Sequence, residues 1–124
     1  MIHLYILPFV VFDLVAGAFD AHETLRGLKL GVALEGNSTI NTLAKLMPMS
    51  AAIVTYNLIK TVGFAALSLV PNPALVGGSI GALVASAAGH IQGGVKWRYL
   101  INGGQIDRTK LTTWWQKLLG MGWD

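Results

Sequence analysis

Residues 20–37, DAHETLRGLKLGVALEGN, place three acidic residues, a histidine and a basic pair between two hydrophobic runs. Small and polar residues recur here in steps of three and four, at Gly17, Asp20, Thr24, Gly27 and Gly31. At helical spacing these positions share one face of a helix. In so apolar a chain, that face must contact another helix, a bound ion or a water-filled cavity. The stretch therefore predicts the helix around which the rest of the chain is arranged.

The composition predicts a membrane protein. Charged residues make up 12% of the 124 residues, against about 25% in soluble domains, and 53% are hydrophobic. A deeply buried subunit of a soluble assembly is the alternative, and the long apolar runs argue against it. The chain has no cysteine, which excludes disulfides and thiolate chemistry. No basic cluster is interleaved with aromatic residues, so we expect no nucleic-acid partner, and nothing indicates a cofactor.

The predicted fold is all-α, with three transmembrane helices and one or two interfacial amphipathic helices. The spans are residues 2–25 (a helix that can continue to Gly31), 51–70 and 74–94. We divide the chain into a three-span domain, 1–104, and an amphipathic interfacial C-terminal helix, 105–124. The shorter interfacial helix follows a turn at 35–39, with Asn37 or Ser38 as its N-cap.

Charges and aromatic residues predict the orientation. The turn between the second and third spans carries no charge, whereas basic residues follow the first and third spans. The positive-inside rule then places the N-terminus outside and the C-terminus inside. We expect the inner membrane of a prokaryote, with the first segment retained and not cleaved as a signal peptide. The expected interface anchors are Trp97, Tyr99, Trp114 and Trp115.

The third span carries a second stripe of small residues. It comprises Gly78, Ala82, Ala85, Gly89 and Gly93. Such stripes let helix backbones approach closely in lipid. We therefore expect the third span to pack closely against another helix, in a homo-oligomer or with other membrane subunits.

Ionisable residues inside the spans predict a polar network. Each costs about 2.5–3.5 kcal/mol to insert and so needs a partner. The network we expect comprises Asp13, Asp20, Thr24, Glu35, Asn37, Lys60 and His90. Its simplest role is an interhelical ion pair between Lys60 and an aspartate. A proton or cation path, or a counter-charge from a partner subunit, is the alternative. His90 fits a hydrogen-bonded packing histidine or a metal ligand.

No motif in the chain gathers metal ligands or a nucleophile with its base. Asp20, His22, Glu23, Glu35 and His90 are ligand types, but none of the known metal-binding spacings occurs. No GxSxG motif is present. We therefore predict neither a metal site nor catalytic residues.

The pattern Asp20-x3-Thr24-x2-Gly27-x3-Gly31-x3-Glu35-x-Asn37 resembles the signature of a domain-of-unknown-function family of small prokaryotic membrane proteins. Ser38 stands where that family has a proline, and Lys60 matches a lysine of its next span. The resemblance covers about residues 10–100. It implies a membrane location and a three-span core, and it implies no activity.

The function we expect is that of a small non-enzymatic membrane subunit held in an oligomer or complex. The alternative is a channel or transporter component in which the intramembrane acids line a cation or proton path. A phage holin-like pore former is a variant of that alternative. A metal-dependent enzyme using Asp20, His22, Glu35 and His90 comes third.

Overall fold

The computed structural model describes residues 2–104, which form four helices and no strand. The helices are α1 (Ile2–Leu30), α2 (Ser38–Leu43), α3 (Met49–Leu67) and α4 (Pro73–Ile101). Within this part of the chain α1, α3 and α4 are long and apolar enough to cross a membrane. The predicted fold class is confirmed. The predicted C-terminal helix, with Trp114 and Trp115, lies outside the described residues.

Local sequence explains where the helices begin and end. Gly31 ends α1 at a φ of 70°, a left-handed conformation that glycine adopts without strain. The Asn37 side chain caps α2 by accepting from the backbone N–H groups of Thr39 and Ile40, as predicted. Asn72 caps α4, and Pro73 fits the first helical turn. Helix α4 continues seven residues beyond the predicted boundary at 94.

The three long helices form a bundle in which α1 runs parallel to α4 and antiparallel to α3. Gly17 lies against His90, and Gly27 lies against Trp97, which is further along both helices. Asp13, near the start of α1, contacts Thr61 in the second half of α3. The most extensive contacts join α1 to α4. The polar face of α1 is therefore buried against both other spans.

The outer surface of the bundle is apolar. Large hydrophobic side chains are exposed along every long helix, Leu4, Val15, Ile59, Val62 and Ile91 among them. Soluble monomers rarely expose contiguous apolar surface on this scale, whereas lipid requires it. The short helix α2 packs on the bundle, with Ile40 buried in one cluster with Ala21 and Ile53.

The small-residue stripe predicted on α4 divides between two environments. Gly93 meets α1, where an added Cβ would lie 2.8 Å from Asp20 Oδ1. A Cβ at Gly78 or Gly89 would meet nothing within 4 Å. Ala85 is exposed on the same outer side. Ala85 and Gly89 thus face away from the rest of the described chain, whereas Gly78 and Ala82 border a cavity that Phe64 and Leu67 of α3 also line.

Candidate functional site: a polar cavity between the spans

A polar cavity of about 280 Å³ lies between the three spans and α2. It is lined by Asp20, Thr24, Glu35, Asn37, Ile40, Ile53, Tyr56, Asn57, Lys60, His90, Gly93 and Trp97. Six of the seven residues of the expected polar network are in this set. The structure leaves only Asp13 of that network outside the cavity. Tyr56, Asn57 and Trp97 were not among the predicted polar residues.

A hydrogen-bonded chain crosses all three spans beside the cavity. Lys60 Nζ on α3 lies 2.8 Å from His90 Nε2 on α4. The other ring nitrogen of His90, Nδ1, lies 2.8 Å from Asp20 Oδ2 on α1. A lysine ammonium only donates hydrogen bonds, so Nε2 accepts and Nδ1–H donates to the carboxylate. His90 is 7% exposed, and it joins the two charged groups within the bundle.

We expected a direct ion pair between Lys60 and an aspartate, and these hydrogen bonds show that His90 lies between them instead. Among the described residues, no carboxylate lies within 4 Å of the Lys60 ammonium, and His90 stands between it and Asp20. The ammonium also lies 5.4 Å from the centre of the Tyr56 ring, a favourable cation–π distance. The polar connection between α3 and α1 therefore depends on His90, which lies on α4.

Two glycines leave room for the hydrogen-bonded side chains of His90 and Asp20. A Cβ at Gly17 would lie 3.5 Å from His90 Nε2, and a Cβ at Gly93 would lie 3.1 Å from the Asp20 carboxyl carbon. Thr24, one turn beyond Asp20, donates its hydroxyl to Asp20 Oδ1 at 3.2 Å. The small-and-polar stripe of α1 therefore holds Asp20 and admits the His90 ring.

The segment between α1 and α2 forms one wall of the cavity. Glu35 Oε1 accepts the Asn37 backbone N–H at 2.8 Å. The Asn41 side chain donates to the Glu35 carbonyl at 2.8 Å. These bonds hold Glu35 and Asn37 at the cavity, so the Glu-x-Asn motif has a local structural role as the start of α2.

A second cluster of charge on α1 and α4 lies outside the cavity. Glu23 is 1% exposed, and its Oε1 accepts from Arg98 Nη2 at 3.1 Å. His22 Nδ1 lies 3.3 Å from the same oxygen, and Arg26 Nη1 lies 3.6 Å from Oε2. Sequence reasoning missed the Arg98 contact because it assigned residues 96–99 to the membrane interface. The sequence alone shows only that Glu23 and Arg26 are three residues apart, and so neighbours on one helix.

The predicted interface anchors on α4 also make contacts within the chain. The Trp97 ring occupies the space beside Gly27, in the interface of α1 with α4. The Tyr99 ring lies beside Gly104, just beyond the end of α4. Neither contact reports on the membrane surface, so the anchoring role stays a prediction.

The hypothetical metal-ligand set does not come together in the described part of the chain. Asp20, Glu35 and His90 line the cavity, whereas the His22 side chain is 72% exposed and contacts Glu23. The described residues contain no group of three His, Cys, Asp or Glu side chains placed to hold a metal ion. The site offers hydrogen-bonding and charged groups around a space large enough for several water molecules.

Comparisons with known proteins found no match to the chain among protein-family models, curated proteins or solved structures. The likeness to the three-span family therefore stays an expectation from the motif around Asp20.

Proposed function

We propose that this protein is a small, non-enzymatic membrane subunit that assembles through the outer face of α4 with copies of itself or with other membrane proteins. The observation that supports this role is the open glycine-rich face. Gly77, Gly78, Gly81 and Gly89 have free space around them, whereas Gly93 and Gly94 on the inner side of the helix meet α1 side chains.

Lipid chains are as apolar as the helix surface, so helices in membranes associate through close packing and polar contacts. A surface of glycines lets a second backbone approach closely, which bulky residues prevent. On α4 this surface is two to three turns long, because Gly78 and Gly89 are eleven residues apart. The polar chain through Lys60, His90 and Asp20 then has the role of holding the three spans in register.

Replacing Gly78 and Gly89 together with leucine is expected to dissociate the assembly. Leucine side chains on this face separate the packed backbones, while the described bundle has room for them: a Cβ at either glycine meets nothing within 4 Å, and Gly78 borders a cavity beside Phe64 and Leu67 of α3. The measurement is native mass spectrometry of protein extracted in mild detergent, with helix content followed by circular dichroism. Gly63→Leu on α3 is the matched control, since Gly63 is equally open. An unchanged stoichiometry in the double variant contradicts the proposal.

A second candidate function is a channel or transporter component, and the polar cavity favours it. Intramembrane ionisable groups that line a cavity mark many ion and substrate paths. Here Asp20, Lys60 and His90 meet beside a space of about 280 Å³. This role does not exclude assembly, since small subunits can line a path together.

For this second function, Asp20→Asn is expected to abolish proton or cation flux into liposomes while the protein still assembles. The substitution removes the negative charge at the cavity but keeps the size of the side chain. His22→Gln is the control, because His22 lies on the same helix and is exposed outside the cavity. Flux that is equal in wild type and Asp20→Asn, or absent from the wild type, argues against a path through this cavity.

A further inference from the structure

Asp13 is a buried acidic residue for which the described part of the chain offers no cationic partner. It is 1% exposed and lies in the first half of the first span. None of the salt bridges among the described residues reaches it. Lys60, His90 and Asp20 interact with one another. An ionised carboxylate at the Asp13 position is strongly destabilised unless it has a positive partner.

Half of the Asp13 carboxylate is also without a hydrogen bond. Oδ2 accepts from the Thr61 hydroxyl on α3, whereas Oδ1 is buried and has no partner. Buried polar atoms in native proteins nearly always have a partner, so an orphaned oxygen needs an explanation. A bound cation would give this oxygen a partner.

A second orphaned oxygen lies at the same level on α4. Gly17 faces His90, and Asp20 faces Gly93, in the parallel pairing of α1 with α4. One turn earlier on both helices, this register pairs Asp13 with Ser86. The Ser86 hydroxyl is buried and has no hydrogen-bond partner. The two oxygens therefore face one interface without bonding each other.

A cavity of about 160 Å³ adjoins Asp13 between α1 and α3. Asp13 and Thr61 line it together with Asn57, whose amide adds another neutral oxygen. The remaining lining is mostly apolar. A carboxylate, two hydroxyls and an amide are oxygen ligands, which hard cations prefer. The single carboxylate calls for a single positive charge.

We propose that Asp13, Thr61 and Ser86 form a binding site for a small monovalent metal cation of the size of sodium, with Asn57 at its edge. The cation supplies the missing charge and satisfies both orphaned oxygens. It also ties α1, α3 and α4 together, and Asn57 lies between this site and the polar cavity. This site is independent of the proposed assembly through α4 and requires no passage through the cavity.

The test compares thermal unfolding of the purified protein in detergent in sodium chloride and in choline chloride at equal ionic strength. Sodium at about ten times its Kd is expected to raise the unfolding midpoint of the wild type by about 5 °C, because it binds only the folded state. Asp13→Asn is expected to lose this shift. Ser86→Ala is expected to need about tenfold more sodium for the same shift, and it keeps the test valid if Asp13→Asn does not fold.

Ser79→Ala is the matched control, since Ser79 is a buried serine of the same helix whose hydroxyl already donates to the Leu75 carbonyl. It is expected to respond to sodium as the wild type does. Equilibrium dialysis with radioactive sodium provides a direct readout of binding. The proposal is overturned if the wild type shows no sodium shift, or if Asp13→Asn retains it. A stabilisation by acid that depends on Asp13, without any response to sodium, assigns the site to a proton and also overturns it.

Discussion

Replacing Arg98 with methionine is expected to lower the free energy of unfolding by about 1–2 kcal/mol, because it removes the hydrogen-bonded partner of a buried carboxylate while the arginine side chain itself is 56% exposed. Glu23 is 1% exposed and lies 3.1 Å from the Arg98 guanidinium. Methionine keeps most of the apolar stem, so the loss reports on the charge. The measurement is reversible unfolding of the purified protein in mixed micelles, with helix content as the signal.

Arg26→Met is the matched control for that change. Arg26 lies 3.6 Å from the same carboxylate, one turn away on α1, which is beyond hydrogen-bond distance, whereas Arg98 donates a hydrogen bond at 3.1 Å. Both arginine side chains are about half exposed, and an exposed ion pair without a hydrogen bond contributes less than about 1 kcal/mol. Combining Glu23→Gln with Arg98→Met is expected to restore part of the lost stability, since no unpaired charge then remains buried. Equal losses for Arg26→Met and Arg98→Met contradict this account of the pair.

Gly93→Ala is expected to destabilise the bundle by about 1–3 kcal/mol, the usual cost of overpacking a tight interface. The new methyl group lies 2.8 Å from Asp20 Oδ1, so the carboxylate, whose other oxygen bonds His90, must shift. We therefore expect two signals together: a lower free energy of unfolding, and a changed ¹⁵N spectrum of the His90 ring.

Gly89→Ala separates the packing effect from the intrinsic preference of alanine for helices. Gly89 lies one turn before Gly93 on α4 and has nothing within 4 Å. In a helix alanine is more favourable than glycine by up to about 1 kcal/mol, so this variant is expected to be neutral or more stable. If Gly93→Ala behaves in the same way, α4 does not approach Asp20 as closely as the structure shows.

Much of the architecture could be predicted from local properties of the chain. Three apolar runs of sufficient length predict three spans, and Pro71-Asn72-Pro73 marks the turn between the last two. The Asn37 cap follows from the side chain's ability to accept backbone N–H groups. The stripe from Gly17 to Gly31 indicates which face of α1 is buried. These features depend on residues within a few turns of one another.

The residues of the cavity could be predicted in part, again from properties of single helices. Charged and amide side chains in apolar spans are costly in lipid, which selects Asp20, Lys60 and His90 as members of a network. The cost indicates that partners exist without identifying them. The expected pairing of Lys60 with an aspartate was therefore wrong in its detail, since charge alone does not place His90 between them.

The sequence by itself determined the number of spans, their approximate ends and the polar face of α1, because hydropathy and helical periodicity are properties of neighbouring residues. Only the tertiary structure decided that Lys60 meets His90, that Arg98 meets Glu23, and that Gly93 faces inward while Gly89 faces outward. Each of these contacts depends on the rotation of a helix about its axis and on its axial position beside its neighbours. The rotation and the axial position of each helix are set by the packing of its whole surface. Moving along a helix by one residue turns the outward direction by about 100°, so a small change in rotation brings different side chains into contact.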